Sequence, residues 1–303
     1  MPSLAGTFPS RALRSTGADL PFADLRRAHG TAFEGYYWRF AGADWSACAI
    51  AGVCRDERGT WAMVTLASEP DGFERTEIVP VASLGRDRLR VDAGPLQADE
   101  TCLRVDLGRR LEARFDEPRG WTRALGPLGV GQLVPWLGQY WAPHLLSARV
   151  SGSYDGRSLD GTSVYAEKNW GAAFADHWWW GQGPGVAFAG GRIHGVAPTA
   201  VVAWTDRETI ALAPPVARTV ARAGGGEWHI RAHSPRWRIE IEGAADGGLR
   251  LPVPLPAERR LELRSNHHLT GQLEARVWRG RRLWLHSSGL AGLEDGAVSR
   301  SAS

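Results

Sequence analysis

The chain has 303 residues, 43% of them hydrophobic and 23% charged, with a formal net charge of +3. That is a soluble globular composition, with length for two ordinary domains or one large all-β unit. Its Arg pairs (Arg26-Arg27, Arg109-Arg110, Arg259-Arg260, Arg281-Arg282) are far apart in the chain and form no phosphate-binding stripe, which argues against nucleic acid as a partner.

Residues 1–20, "MPSLAGTFPSRALRSTGADL", hold no apolar core long enough for a secretory signal. They lack acids until Asp19 and in this resemble a transit peptide, weakly. No run approaches the length of a membrane span. A cytoplasmic protein is expected, with peripheral membrane contact left open. Three cysteines, Cys48, Cys54 and Cys102, contain no C-x-x-C pair, so neither a disulfide framework nor a cysteine zinc site is expected. Cys48 and Cys54 have even spacing and read as small buried hydrophobes facing one way from a strand.

From residue 31 onward short alternating segments recur. "FEGYYWRF" (33–40) is dense in strand-forming aromatics, with Glu34, Tyr36, Trp38 and Phe40 on one face. "TWAMVTLA" (60–67), "RLRVDAG" and "CLRVDLG" read as further strands bounded by turn residues. Residues 119–146, "RGWTRALGPLGVGQLVPWLGQYWAPHLL", have no clean period and read as a functional loop, lid or linker, with a domain junction near its end. Later, Trp228, Ile230 and Ala232 share one face, as do Trp237, Ile239 and Ile241, and His233-Ser234-Pro235 is short enough for a hairpin. Many short strands with little helical period predict an all-β sandwich or barrel architecture. The division expected is an extension over 1–30, a first β domain over 31–150 and a second over 151–303. The 15 Trp and 37 Gly residues suit twisted sheets and a wide apolar cavity.

The chemistry concentrates in "SVYAEKNWGAAFADHWWWGQ" (163–182). If 163–169 is a strand, Tyr165, Glu167 and Asn169 point one way, and Val164, Ala166 and Lys168 the other. If 177–182 is the next strand, Trp178, Trp180 and Gln182 share a face, with "GAAFAD" as the turn. A carboxyl among indoles is poorly solvated, so its pKa rises and it can serve as a general acid near neutral pH. Indole faces also stabilise a developing cation by about 0.5–2 kcal/mol each. Acid plus aromatic walls is what protonation of an alkene requires. The competing reading is packing: a Trp-rich core with Glu167 paired to Lys168 or to an Arg. Glu34, Asp176 beside His177, and Glu294 in "GLAGLEDG" are further candidate carboxyls. His267-His268 reads as a solvated turn with no third ligand nearby. "GPLGVG" has the wrong glycine order for a dinucleotide loop, and no Walker, H-E-x-x-H or G-x-S-x-G motif occurs. No cofactor or metal is expected.

Lys168 is the one lysine among 36 cationic side chains, so 35 are Arg. Chance in an Arg-biased chain would leave such a residue. So would a position that needs a compact ammonium rather than a planar fork.

"FEGYYWRF", "YAEKNWGAAFADHWWWGQ", the glycine pair of "FAGGRIHG" and "GQLEARVW...SSGLAGLEDG" resemble the tocopherol cyclase family in the same order, over about 33–296. The resemblance is patchy between 45 and 135. It also departs after Gln182, where Gly183-Pro184 stands in place of the family's Cys-Asn. It implies two lipocalin-like β-barrel domains, shared with carotenoid hydratases and some pericyclases, and a ligand held between or within them. It implies a cofactor-independent cyclase that protonates an isoprenoid double bond of a prenylated aromatic, or a hydratase, pericyclase or non-catalytic carrier on the same scaffold. The positions carried over are Glu34, Glu167, Lys168, Asn169, Trp170, Trp178, Trp180 and Gln182, with Tyr36, Trp38 and Tyr165 beside them as substrate walls. The partner so implied is a hydrophobic small molecule.

Overall fold

The computed structural model describes residues 31–297 apart from 86–88, 122–125, 130, 132–133 and 135–136. The expected extension over 1–30 lies outside the described residues. Strands make up 71% of the described residues and helix 2%, in two antiparallel sheets.

The first sheet holds β1 (Phe33–Ala41), β2 (Ser46–Asp56), β3 (Gly59–Glu69), β4 (Phe73–Val79), β5 (Ser83–Leu84), β6 (Arg90–Ala93), β7 (Leu96–Asp99), β8 (Cys102–Asp106), β9 (Arg110–Gly120), β10 (Gln139–Tyr154), β11 (Arg157–Ser158) and β12 (Ser163–Gly171). The second holds β13 (His177–Gly183), β14 (Val186–Arg192), β15 (Thr199–Trp204), β16 (Thr209–Leu212), β17 (Arg218–Gly224), β18 (Glu227–His233), β19 (Trp237–Ala244), β20 (Leu249–Leu255), β21 (Arg260–Arg279) and β22 (Arg282–Ala297). In the first, the path runs β4-β3-β2-β1-β12-β10-β9-β8-β7-β6-β5. Its two end strands, β4 and β5, are neighbours in sequence, and β2 and β3 touch β6, so the sheet curls back on itself. The second runs β16-β15-β14-β13-β22-β21-β19-β18-β17 and curls the same way, with β15 meeting β17. Closing a sheet in this manner removes the exposed edges that invite misassembly.

The changeover between sheets falls in the connector 172–176. β12 therefore belongs to the first unit, beyond the boundary read at 150. Its register explains this: all nine residues from Ser163 to Gly171 pair with β1. The two ends of 119–146 differ from a free loop, because β9 runs into its start and β10 takes up its last eight residues.

Alternation sorts the side chains into three layers. Tyr36, Trp38 and Phe40 of β1 point into the first barrel. They fit because alanines stand beside them: Trp38 lies between Ala49 of β2 and Ala166 of β12, Tyr36 opposite Ala51, and Phe40 opposite Ala47. Large rings facing small residues fill a barrel without voids. The second barrel is filled by Trp228, Ile230, Ala232, Ile239 and Ile241, the faces expected from their period. A third apolar layer, with Tyr37, Cys48, Trp141, Tyr165, Trp180, Val202 and Leu269, takes residues from both sheets and lies between the barrels. Strands contributing to it are buried on both faces, which is why β1 and β15 show almost no polar alternation.

Two polar clamps cross this layer. Glu69 Oε2 accepts hydrogen bonds from Leu269 N (2.8 Å), Thr270 N (2.9 Å) and Thr270 Oγ1 (2.9 Å). Those N–H groups are free because the β21–β22 ladder slips between His268 and Gly271. Arg39, buried on β1, donates to Gln182 Oε1 at 2.8 Å and to the Leu269 carbonyl at 2.9 Å. No helix among the described residues is long and apolar enough to cross a membrane.

Candidate functional site

Between the barrels the outward face of β12 meets β13 and β22. Glu167 sits there, buried. Its Oε2 accepts from the Tyr165 hydroxyl at 2.8 Å and the Trp180 indole N–H at 2.7 Å. Burial pushes its carboxyl up from the ordinary 4.5 to about 7, against the pull of hydrogen bonds from Trp141, Trp180 and Tyr165, and the nearby Glu294 charge raises it further. The Glu167–Lys168 pair that the packing alternative offered does not form; Lys168 pairs with Glu34. A period of two sends the neighbours to opposite faces, and Glu167 is held by neutral donors.

Glu294, on β22 opposite Trp180 of β13, is a carboxyl of the other kind. Its Oε1 accepts from the Trp178 indole at 2.6 Å and its Oε2 lies 3.0 Å from His267 Nδ1. Burial works to raise it, but His267 and Trp178 outweigh that, and its pKa is held below the ordinary range. His267 Nε2 is 3.1 Å from the Tyr37 hydroxyl. An ionised Glu294 only accepts, so His267 carries its proton on Nδ1 and presents Nε2 to the tyrosine. His267 stacks on Trp180 with centroids 5.7 Å apart, and Tyr37 meets the same indole edge-on at 5.1 Å. His267 and His268 therefore lie within the long strand β21, buried, and not in a solvated turn.

Two clefts open onto this group. One, of about 720 Å³ including its mouth, runs between β10 and β12 on one side and β13–β15 on the other, past Trp141, Trp178 and Ala200. The second, of about 670 Å³, runs between β1–β3 and β20–β21, past Tyr37, Met63 and His267. Both are walled mainly by apolar side chains, as small-molecule sites usually are. Asn169 borders both and accepts a hydrogen bond from the Gln139 carboxamide at 3.2 Å.

The remaining sequence candidates lie away from Glu167, although Tyr36 also borders the second cleft. Glu34 and Lys168 point into the first barrel, where they form an ion pair of 3.1 Å with both side chains 0% exposed. Tyr36 donates to Glu34 Oε1 at 2.6 Å, and the Lys168 ammonium sits 4.4 Å from the Trp170 ring centroid. His144 flanks Tyr36 and Trp38 edge-on, and burial followed by the Lys168 charge pushes its pKa down to about 3. Trp38 and Trp170 belong to this inner group and border neither cleft; Trp170 packs on Tyr140. The lone lysine thus neutralises a buried carboxylate in a space walled by rings. Gln182 is spent on Arg39. Asp176 is exposed in the connector and borders neither cleft, because the turn ends one residue before β13 begins.

Sequence reasoning passed over Tyr37, His267 and Trp141. Tyr37 stands on the far face of β1 from Glu34, a position that alternation alone identifies. His267 was hidden because a ladder slip, not a turn, interrupts its strand. Among the described residues no group of three or more His, Cys, Asp or Glu side chains is placed to hold a metal ion.

No protein-family model matches the chain, and no curated protein matches it. Solved structures do. A protein assigned as AttH from Nitrosomonas europaea superposes over 99% of both chains with a TM-score of 0.53 and 15% identity. Kievitone hydratase from Nectria haematococca covers 88% of this chain and 89% of its own, with a TM-score of 0.50 and 12% identity. CghA in complex with Sch210972 covers 89% of each chain, with a TM-score of 0.54 and 12% identity. Such identities speak to fold alone, and tocopherol cyclase is not among these three. The chain thus shares the fold of these proteins, two lipocalin-like β barrels set side by side.

Proposed function

We propose that the protein is a cofactor-independent enzyme that adds an O–H group across a carbon–carbon double bond of a hydrophobic small molecule. One observation carries this reading: two carboxyls in a single aromatic site have their pKa values driven apart, Glu167 up to about 7 and Glu294 down. Such a split assigns acid and base roles.

Glu167, neutral in about half of the molecules near pH 7, gives its proton to one alkene carbon. The neighbouring carbon becomes a cation, faced by the indoles of Trp141 and Trp180. An oxygen nucleophile bonds to that carbon, and its proton passes through the Tyr37 hydroxyl to His267, whose positive charge Glu294 balances. The Glu167 carboxylate regains a proton from solvent, and His267 returns one, so no proton is consumed overall. With water as nucleophile the reaction is a hydration; with a hydroxyl of the substrate itself it is a ring closure, the chemistry of the tocopherol cyclases that the sequence resembles. The fold shared with a hydratase supports the former.

The test is incubation of the protein with prenylated phenols and polyenes in H₂¹⁸O and, separately, in D₂O. Hydration adds the mass of water with the heavy oxygen; ring closure leaves the mass unchanged in H₂O and takes up one deuterium. Products with new carbon–carbon bonds and neither label would replace this reading with a pericyclic one.

A further inference from the structure

The two clefts meet at the acid. Glu167, Asn169, Phe174, Trp180 and Glu294 border both. No other described residue does. Beyond that waist the walls diverge. One lobe runs on toward Leu128, Leu137 and Ala200, the other toward Met63, Leu251 and Pro254. Neither lobe is a vestibule of the other, for each has its own apolar walls from different strands of both barrels. Phe174, from the connector between the sheets, is fixed at the waist by stacking on Phe33 at 4.7 Å and leaning on Trp178 at 5.3 Å. The two carboxyls among the described lining residues, Glu167 and Glu294, both stand at the waist.

We propose that the substrate is a two-armed hydrophobic molecule whose reacting double bond is internal, with one apolar arm in each lobe. This rests on the reading of Glu167 as the proton donor. A terminal alkene placed at the waist would fill one lobe and leave the other in contact with water. An internal alkene buries both arms, and apolar area removed from water is the main source of affinity in such a site. Binding energy from the arms then holds the double bond against the acid, which is how remote contacts are turned into rate. The proposal also accounts for Gly52. A Cβ there would meet Met63 Cε and Pro254 Cγ at 3.6 Å, ordinary contact, so the glycine is not required by packing and its hydrogen leaves the second lobe open.

The experiment measures stoichiometry on the Glu167→Gln protein, which binds without turning over. The probes are octanol, short enough for one lobe, and geranylgeraniol, long enough to cross the waist, with native mass spectrometry counting bound molecules and quenching of Trp fluorescence giving affinity. Two octanols but one geranylgeraniol are expected per chain. Gly52→Phe should reduce octanol to one and weaken geranylgeraniol by about tenfold or more, the cost of turning two or more CH₂ groups out into water. Ala200→Phe should do the same from the other lobe, and Met63→Trp replaces Gly52→Phe if that variant melts early. A single octanol per chain, geranylgeraniol affinity indifferent to either filling, or no binding of either probe would overturn the two-armed substrate. The acid reading fails separately, if Glu167→Gln turns over like the parent.

Discussion

Replacing Glu167 with Gln is expected to strengthen the fold while silencing the chemistry, and pH should separate the two effects. In the unfolded chain this carboxyl ionises near 4.5; in the folded chain it stays neutral up to about 7. Below 4.5 both states hold the proton and the group is neutral toward stability. As pH rises through that window the unfolded state gains by ionising and the folded state does not. Above 7 the full cost is present: the 2.5 pH units between 4.5 and about 7, at 1.36 kcal/mol each, amount to about 3 kcal/mol. Gln never ionises, and its amide oxygen can accept from Tyr165 and Trp180 as Oε2 does. Urea titrations followed by Trp fluorescence should therefore give nearly equal stability for the two proteins at about pH 4, and a Gln variant more stable by about 3 kcal/mol at about pH 8, with unchanged m values. Turnover should fall by roughly 10²–10⁴-fold below about pH 7, where the parent holds its proton. A stability gap that stays within about 1 kcal/mol across the window would mean that Glu167 is not held neutral by the fold.

Three further outcomes are expected. Trp180→Phe keeps an aromatic ring but removes the N–H that stabilises the Glu167 anion, so the pH above which activity declines should move up by about one unit; an unmoved limb in the pH–rate profile would detach Trp180 from the acid. His267→Gln should lower kcat by roughly 10²-fold with KM little changed, because it removes a proton acceptor and not an apolar wall; a loss confined to KM would make it a binding residue. Lys168→Met strands Glu34 in the first barrel, where its Oε2 has no hydrogen-bond partner among the described residues, and should cost about 3–5 kcal/mol in denaturant. Adding Glu34→Leu should restore much of that, and Lys168→Arg should cost about 1–3 kcal/mol because a larger planar group must fit beside Trp170. If Lys168→Met and Lys168→Arg both match the parent, the lone lysine is a compositional accident.

Alternation made much of the site legible. It placed Tyr165, Glu167 and Asn169 on one face of β12 and Lys168 on the other, and it grouped Trp178 with Trp180. It could not say which face of a strand buried on both sides looks into a barrel and which looks between barrels. That is why Glu34 stands as a second candidate acid beside Glu167, although one is neutralised by Lys168 and the other by nothing charged. Long-range partners were hidden for a related reason. Glu294 and Trp178 are separated by more than a hundred residues and meet only because β13 pairs with β22. The 119–146 segment misled because its glycines and prolines mask the start of β10, whose ladder to β12 tolerates Pro143 through a bulge at Pro143/Leu145.

The acid and the indole that binds it stand on consecutive strands belonging to different sheets, with only residues 172–176 between them. Glu167 is thus a strong enough proton holder only while the barrels are docked. Should they part, Trp180 would leave with one, water would reach the other, and the carboxyl would ionise like any on a protein surface. If Glu167 is the proton donor proposed above, a half-assembled chain, newly made or partly unfolded, would carry no reactive acid to spend on whatever olefin drifts by. Substitutions at the Glu69 or Arg39 clamps would then act as dimmers on the chemistry, changing how often the acid exists without touching it.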